Sequence, residues 1–63
     1  MTEERKAEIY ASLVTEIEAA HKEGLNIGTR QEIRRVLIGW FGQINSEHLE
    51  IIERLHADNW IDD

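Results

Sequence analysis

Apolar residues recur along this chain at intervals of three and four in three stretches, each bracketed by helix start and stop signals. The first stretch predicts a helix over 2–23. Thr2 is placed as its N-cap, and Glu3 and Glu4 put negative charge at the positive end of the helix dipole. On a wheel of about 100° per residue, Ala7, Ile9, Tyr10, Leu13, Val14, Ile17 and Ala20 share one face. Glu8, Ser12, Thr15, Ala19 and Glu23 fall opposite. Glu18 and Lys22 have the spacing and order of a favourable i,i+4 ion pair. Gly24 stops the helix, and residues 25–28 form a loop.

A second helix is predicted over 29–42. It opens on Thr29-Arg30-Gln31-Glu32, which fits a capping box with Thr29 accepting from a backbone N–H and Glu32 reaching back. Ile33, Val36, Leu37, Trp40, Phe41 and Ile44 cover one arc of the wheel, and Ile38 lies outside it beside Arg35, Gly39 and Gly42. Apolar residues on two sides predict a central helix covered by two neighbours or by another subunit. Gly42 has the alternative role of stopping the helix. A third helix is predicted over 46–60, capped by Asn45 or Ser46, with Glu47 and Glu50 in its first turns. His48, Leu49, Ile52, Leu55, His56 and Trp60 share its face, with Ile51 at the edge.

Short loops imply antiparallel neighbours. The expected fold is all-α, one domain over 1–63, forming a three-helix bundle or an open three-helix arrangement completed by dimerisation. Length points the same way. A chain of 63 residues buries only about 60% of its unfolded surface, and small scaffolds usually add disulfides, a metal or a second subunit. With no cysteine, disulfides and thiolate zinc sites are excluded, and self-association or folding onto a partner is the expected supplement. The missing cysteines also fit a cytoplasmic setting. Residues 1–8 lack the pattern of a signal peptide, and the apolar run from Val36 to Ile44 is about half a membrane span.

Charge changes the picture further. The net charge is −6, with six acids against three bases in 1–23, one against three in 24–45, and six against one in 46–63. A basic middle between acidic ends predicts a second helix packed between its neighbours. The overall negative field repels phosphate backbones and disfavours nucleic acid as a partner.

Candidate chemistry is sparse. His48 and His56 lie eight residues apart, about 12 Å along a helix axis, too far to share an ion without His21 and carboxylates. Half-buried structural histidines are the expected reading, with no metal and no cofactor. Loosening of an apolar seam by protonated histidines is a softer alternative. Glu47, Glu50 and Glu53 form an acidic ridge, read as a solvated face or as a row of charge that meets a basic or nucleic-acid-binding protein. Three short helices rarely enclose a catalytic pocket, and Ser12 and Ser46 have no activating neighbours, so no enzyme is expected. Gly39 and Gly42 are read as close-approach positions at a helix interface.

Arg30, Arg34 and Arg35 supply the alternative function, DNA contact by the second helix in a transcriptional regulator. In a helix-turn-helix frame Gln31 and Gly39 fit, but Arg35 falls where a small residue is needed and Asn45 where an apolar one is. A ribbon-helix-helix frame would need a strand over Ala7, Ile9, Ala11 and Leu13, inside a helical segment.

Of the two tryptophans, Trp40 is assigned to the core and Trp60 to an interface, since tryptophan often dominates binding energy. Trp40→Ala is then expected to collapse the fold, and Trp60→Ala to spare helicity but weaken association. The expected protein is an acidic helical interaction module, a homodimeric regulator or inhibitor of a larger protein. Its expected interface is Ile38, Gly39, Gly42, Glu47, Glu50, Glu53, Trp60 and Ile61.

Overall fold

The computed structural model describes residues 1–62 and is all-α, with three helices: α1 (Glu3–Lys22), α2 (Arg30–Phe41) and α3 (Ser46–Ala57). Each helix starts where a side-chain oxygen precedes the apolar run. Thr2 Oγ1 accepts from the Arg5 amide at 3.0 Å, and Thr29 Oγ1 accepts from the Glu32 amide at 3.1 Å. Asn45 Oδ1 accepts from the amides of Glu47 and His48. These bonds satisfy amides that have no partner inside their own helix.

The helix ends are equally specific. Gly24 adopts φ 78°, the Leu25 amide donates to the Ala20 carbonyl at 2.8 Å, and the Gly24 amide donates to that of His21. This is a Schellman end. Gly42, at φ 81°, closes α2 with its amide on the Ile38 carbonyl. α3 stops three residues short of the expected 60, because Asn59 takes the left-handed conformation (φ 65°). Asparagine is one of the few residues that tolerates it. The Trp60 amide then donates to the Leu55 carbonyl at 2.9 Å, and the chain turns back on itself.

The core is aliphatic. Ile9, Leu13 and Ile17 of α1 meet Ile33 and Leu37 of α2 and Ile51, Ile52 and Leu55 of α3, with Tyr10, Val14, Ile27, Val36, Ile44 and Trp60 packed around them. Six of these side chains, Leu13, Ile17, Ile33, Leu37, Ile52 and Leu55, are fully buried. Removing one such side chain to alanine typically costs about 2–5 kcal/mol. Every buried side-chain nitrogen and oxygen among the described residues has a hydrogen-bond partner.

The central helix is α3, not α2. α3 packs closely on both α1 and α2, which approach each other less. The expectation fails because the basic charge of α2 is answered mainly from one side, by Glu53 of α3, and because its second apolar flank faces outward. The segment over Ala7–Leu13 is helical, as the periodicity requires and as a ribbon-helix-helix strand would not be. Among the described residues, no helix is long and apolar enough to cross a membrane.

Candidate functional site

The acidic ridge of α3 is largely engaged by the chain's own cations. Glu53 receives two bonds from the Arg30 guanidinium, at 2.7 and 2.9 Å, across the α2–α3 junction. The Arg30 hydrogen bonds hold the Glu53 carboxyl below the usual glutamate range, against the opposing effect of desolvation. Glu50 accepts from Lys6 of α1 at 3.0 Å, and this bond raises the Lys6 ammonium above the usual lysine value. Glu47 lies 3.2 Å from the N-terminal amine. These carboxylates therefore tie α3 to its neighbours, and the unanswered acids lie elsewhere. Glu16 and Glu18, on the C-terminal half of α1, and Glu23 at its C-cap are exposed and have no ion-pair partner among the described residues.

Between α1 and α3 runs an open groove lined by Glu3, Lys6, Tyr10, Glu50, Arg54 and Asp58, among others. Its inner end is closed by the Tyr10 hydroxyl donating to an Asp58 carboxylate oxygen. Burial, and then the bond to Asp58, raise the Tyr10 phenol above its ordinary value. The groove is a helix junction in which Lys6–Glu50 and Tyr10–Asp58 pair across α1 and the α3 end.

The three histidines have three different environments. His21 is exposed, His56 is half-buried, and His48 is buried at 6% exposure. The His48 ring accepts the Asn45 amide at Nδ1 (3.2 Å) and completes a capping box with histidine in the place usually held by Glu or Gln. The spacing Asn45-x-x-His48 is the signal that sequence reasoning passed over. Among the described residues, no group of three or more His, Asp or Glu side chains is arranged to hold a metal.

Most of the exposed large apolar surface sits on α2 and at the start of α3: Ile38 (46%), Trp40 (43%), Phe41 (38%) and Leu49 (43%). Phe41 stacks on His48 with ring centroids 5.1 Å apart and meets Trp40 edge-to-face at 6.3 Å. The Arg5 guanidinium of α1 lies 5.8 Å from the Phe41 ring centre. One end of the bundle thus presents an aromatic cluster drawn from α2 and α3 with a cation from α1. Trp40, assigned from its wheel position to the core, is surface here and is not among the residues packed on the core. Phe41 and Leu49, also placed on apolar arcs, are exposed too, which periodicity alone does not reveal.

The opposite correction applies to Trp60 and Ile61. Ile61 is 3% exposed and belongs to the core, and Trp60 packs against that core. The Asp62 amide donates to the Gly28 carbonyl at 2.8 Å, pinning the C-terminal segment to the α1–α2 loop. That loop is shaped by Asn26 Oδ1 accepting from the Gly28 amide at 2.9 Å. A Cβ on Gly28 would sit 2.7 Å from this oxygen, so a larger residue there would have to displace the Asn26 side chain and its bond.

Arg30, Arg34 and Arg35 do lie together, lining a groove on α2 with Gln31 and Ile38. Arg30 is committed to Glu53, and Arg35 lies 3.8 Å from Glu32, whose side chain was expected to reach back to the cap. Arg34 has no ion-pair partner among the described residues. Gly39 has open space where a Cβ would project, and Gly42 is the left-handed helix stop.

No protein-family model matches this chain, and comparison with curated proteins and with solved structures gives no match.

Proposed function

We propose that this chain is a helical protein–protein interaction module, a homodimer that serves as a regulator or inhibitor of a larger, basic protein. The observation that carries the reading is the exposure of Ile38, Trp40 and Phe41 within four consecutive positions of α2. The aliphatic core is complete without them. Phe41 lies between Ile38 and Trp40 around the last turn of α2 and meets Trp40 edge-to-face, and exposed large apolar groups that neighbour one another mark interaction sites more often than scattered ones do. They form the self-association surface. The unpaired Glu16 and Glu18 of α1, with Glu23 at its C-cap, make the C-terminal end of α1 negative on more than one side for its basic partner, consistent with the net charge of −6. Electrostatic complementarity of this kind speeds encounter and selects the partner more than it adds affinity.

A second reading, DNA contact by α2, has one observation in its favour: the three arginines share a groove. Two of the three already face carboxylates of this chain, which weakens that reading.

Sedimentation equilibrium over a concentration series tests the main reading, with Ile38→Glu as the perturbed variant. A wild-type dimer that becomes a folded monomer on Ile38→Glu is the expected result. A wild-type chain that stays monomeric at every concentration, combined with salt-sensitive binding to duplex DNA, would replace this reading with the second.

A further inference from the structure

We infer that His48 is a pH-sensitive latch: a proton taken up at its Nδ1 unlocks the start of α3 and loosens the Phe41 ring stacked on it. The inference stands apart from the homodimer reading. Among the described residues, His48 is the one polar side chain that is buried, and it holds the third helical position of α3. The Asn45 amide donates to its Nδ1 at 3.2 Å, while Asn45 Oδ1 accepts from the His48 amide at 3.1 Å. An amide can donate only to a ring nitrogen that bears no proton, so the ring proton sits on Nε2. Glu or Gln, usual at this position, would accept the same bond throughout the range in which imidazole titrates. Histidine makes it conditional on pH.

A proton on Nδ1 turns the acceptor into a second donor facing the Asn45 amide. The new charge is buried and lies at the positive end of the α3 dipole. Nearby carboxylates are already engaged: Glu47 by the N-terminal amine at 3.2 Å and Glu50 by Lys6 at 3.0 Å. From α1 come that amine and Arg5, both cations, with Arg5 5.8 Å from the Phe41 ring centre. α2 meets His48 through Phe41, its last residue, whereas Arg30, Glu32, Arg34 and Arg35 lie in its first half. Residues 42–45 are uncharged. The Phe41 face attracts an imidazolium, but Arg5 already draws on that ring. A lost cap bond and a buried charge at the wrong helix end outweigh that one contact.

His21 and His56 are placed the opposite way, in the last turns of α1 and α3, where the dipole favours positive charge. Acid therefore supports their helix ends and undermines only the start of α3. The unfolded chain, with a free imidazole at 48, binds more protons than the folded one. This part of the stability is then complete above the ordinary imidazole value of about 6.5 and is lost as pH falls below it. Phe41 carries the change outward, since it stacks on His48 and meets Trp40 edge-to-face.

The test combines urea denaturation at about pH 7.5 and about pH 5.5, which bracket the imidazole range, with the imidazole nitrogen spectrum of the wild-type chain. The spectrum is expected to show His48 as the Nε2–H form at the higher pH. The folded-to-unfolded ratio is expected to fall roughly fivefold at the lower pH, the effect of one lost hydrogen bond. His48→Gln keeps a cap that does not titrate and should abolish the fall, and His56→Gln should retain it. An Nδ1–H form, a ratio that holds or rises in acid, or an equal fall in His48→Gln would each overturn the latch. So would a fall seen only at the higher of two protein concentrations about tenfold apart, since it would belong to association. Should His48→Gln fail to fold, the wild-type Asn45 amide resonance decides. A shift that follows the His48 titration supports the latch, and one that ignores it overturns it.

Discussion

Trp40 and Trp60 occupy similar places, each at the C-terminal end of a helix whose apolar face they extend, yet the molecule treats them in opposite ways. Trp60 is packed against the core, and Trp40 is 43% exposed. The difference lies in the route the chain takes next. After α3, the left-handed Asn59 reverses the backbone, Ile61 enters the core, and Asp62 bonds to Gly28. After α2, the left-handed Gly42 turns the chain toward Asn45 and the cap of α3, and Trp40 stays 43% exposed among the described residues. Burial at a helix end is therefore decided by the path of the residues beyond it as well as by angular position on the wheel. One end is finished inside the chain, and the other keeps its tryptophan at the surface.

The largest expected effect comes from breaking the finished end. Ile61→Ala should cost about 2–5 kcal/mol, the usual range for emptying a closed aliphatic site, read as a lower denaturant midpoint with an unchanged slope. A loss below about 0.5 kcal/mol, the range of ordinary surface changes, would mean that the C-terminal segment is not part of the core. Next come the two corners. Asn59→Ala and Gly42→Ala should each destabilise by about 1 kcal/mol, since a Cβ is disfavoured at positive φ. Gly42 has open space for the added Cβ, so its cost is backbone strain alone. Similar costs at the two corners would confirm that the two ends differ in the segments beyond the turns rather than in the turns themselves.

Trp40→Ala should be the mildest of the tryptophan and core changes. A cost of about 0.5 kcal/mol in the monomer is expected, as for surface positions generally, together with weaker self-association. Thermal melts at low and high protein concentration separate the two effects. Collapse of the helical signal at low concentration would return Trp40 to the core. Smallest of all is the pH response of the α2–α3 tie. The Glu53 carboxyl is lowered in the folded chain by Arg30, so its contribution is complete above the ordinary glutamate range, about 4.3. It fades as pH falls through the lowered native value. Glu53→Gln should remove that part of the acid-side slope and leave the rest, as acid melts of the two proteins would show.

Much of the local structure was legible in the sequence. Thr2, Thr29 and Asn45 cap the helices they precede, and Gly24 ends the helix before it, because short-range hydrogen-bond geometry depends on a few adjacent residues. The stop of α3 was missed by three residues, since asparagine at 59 gives a weaker signal for a left-handed turn than glycine does. The order of packing was not legible. Both α2 and α3 carry apolar residues on two sides, and only the three-dimensional arrangement decides that α3 is central while Ile38 of α2 stays outside. The acidic ridge shows the same limit. Glu47, Glu50 and Glu53 have the periodicity of a free face, but their partners come from Met1, Lys6 and Arg30, distant in sequence.

The most direct test of the central claim is the fluorescence of Trp40 in a Trp60→Phe background, recorded over a wide protein concentration series. An exposed surface that becomes an interface predicts red-shifted emission in dilute solution and a blue shift as the dimer forms. Emission that is already blue at the lowest concentration, or that never changes as concentration rises, would contradict it.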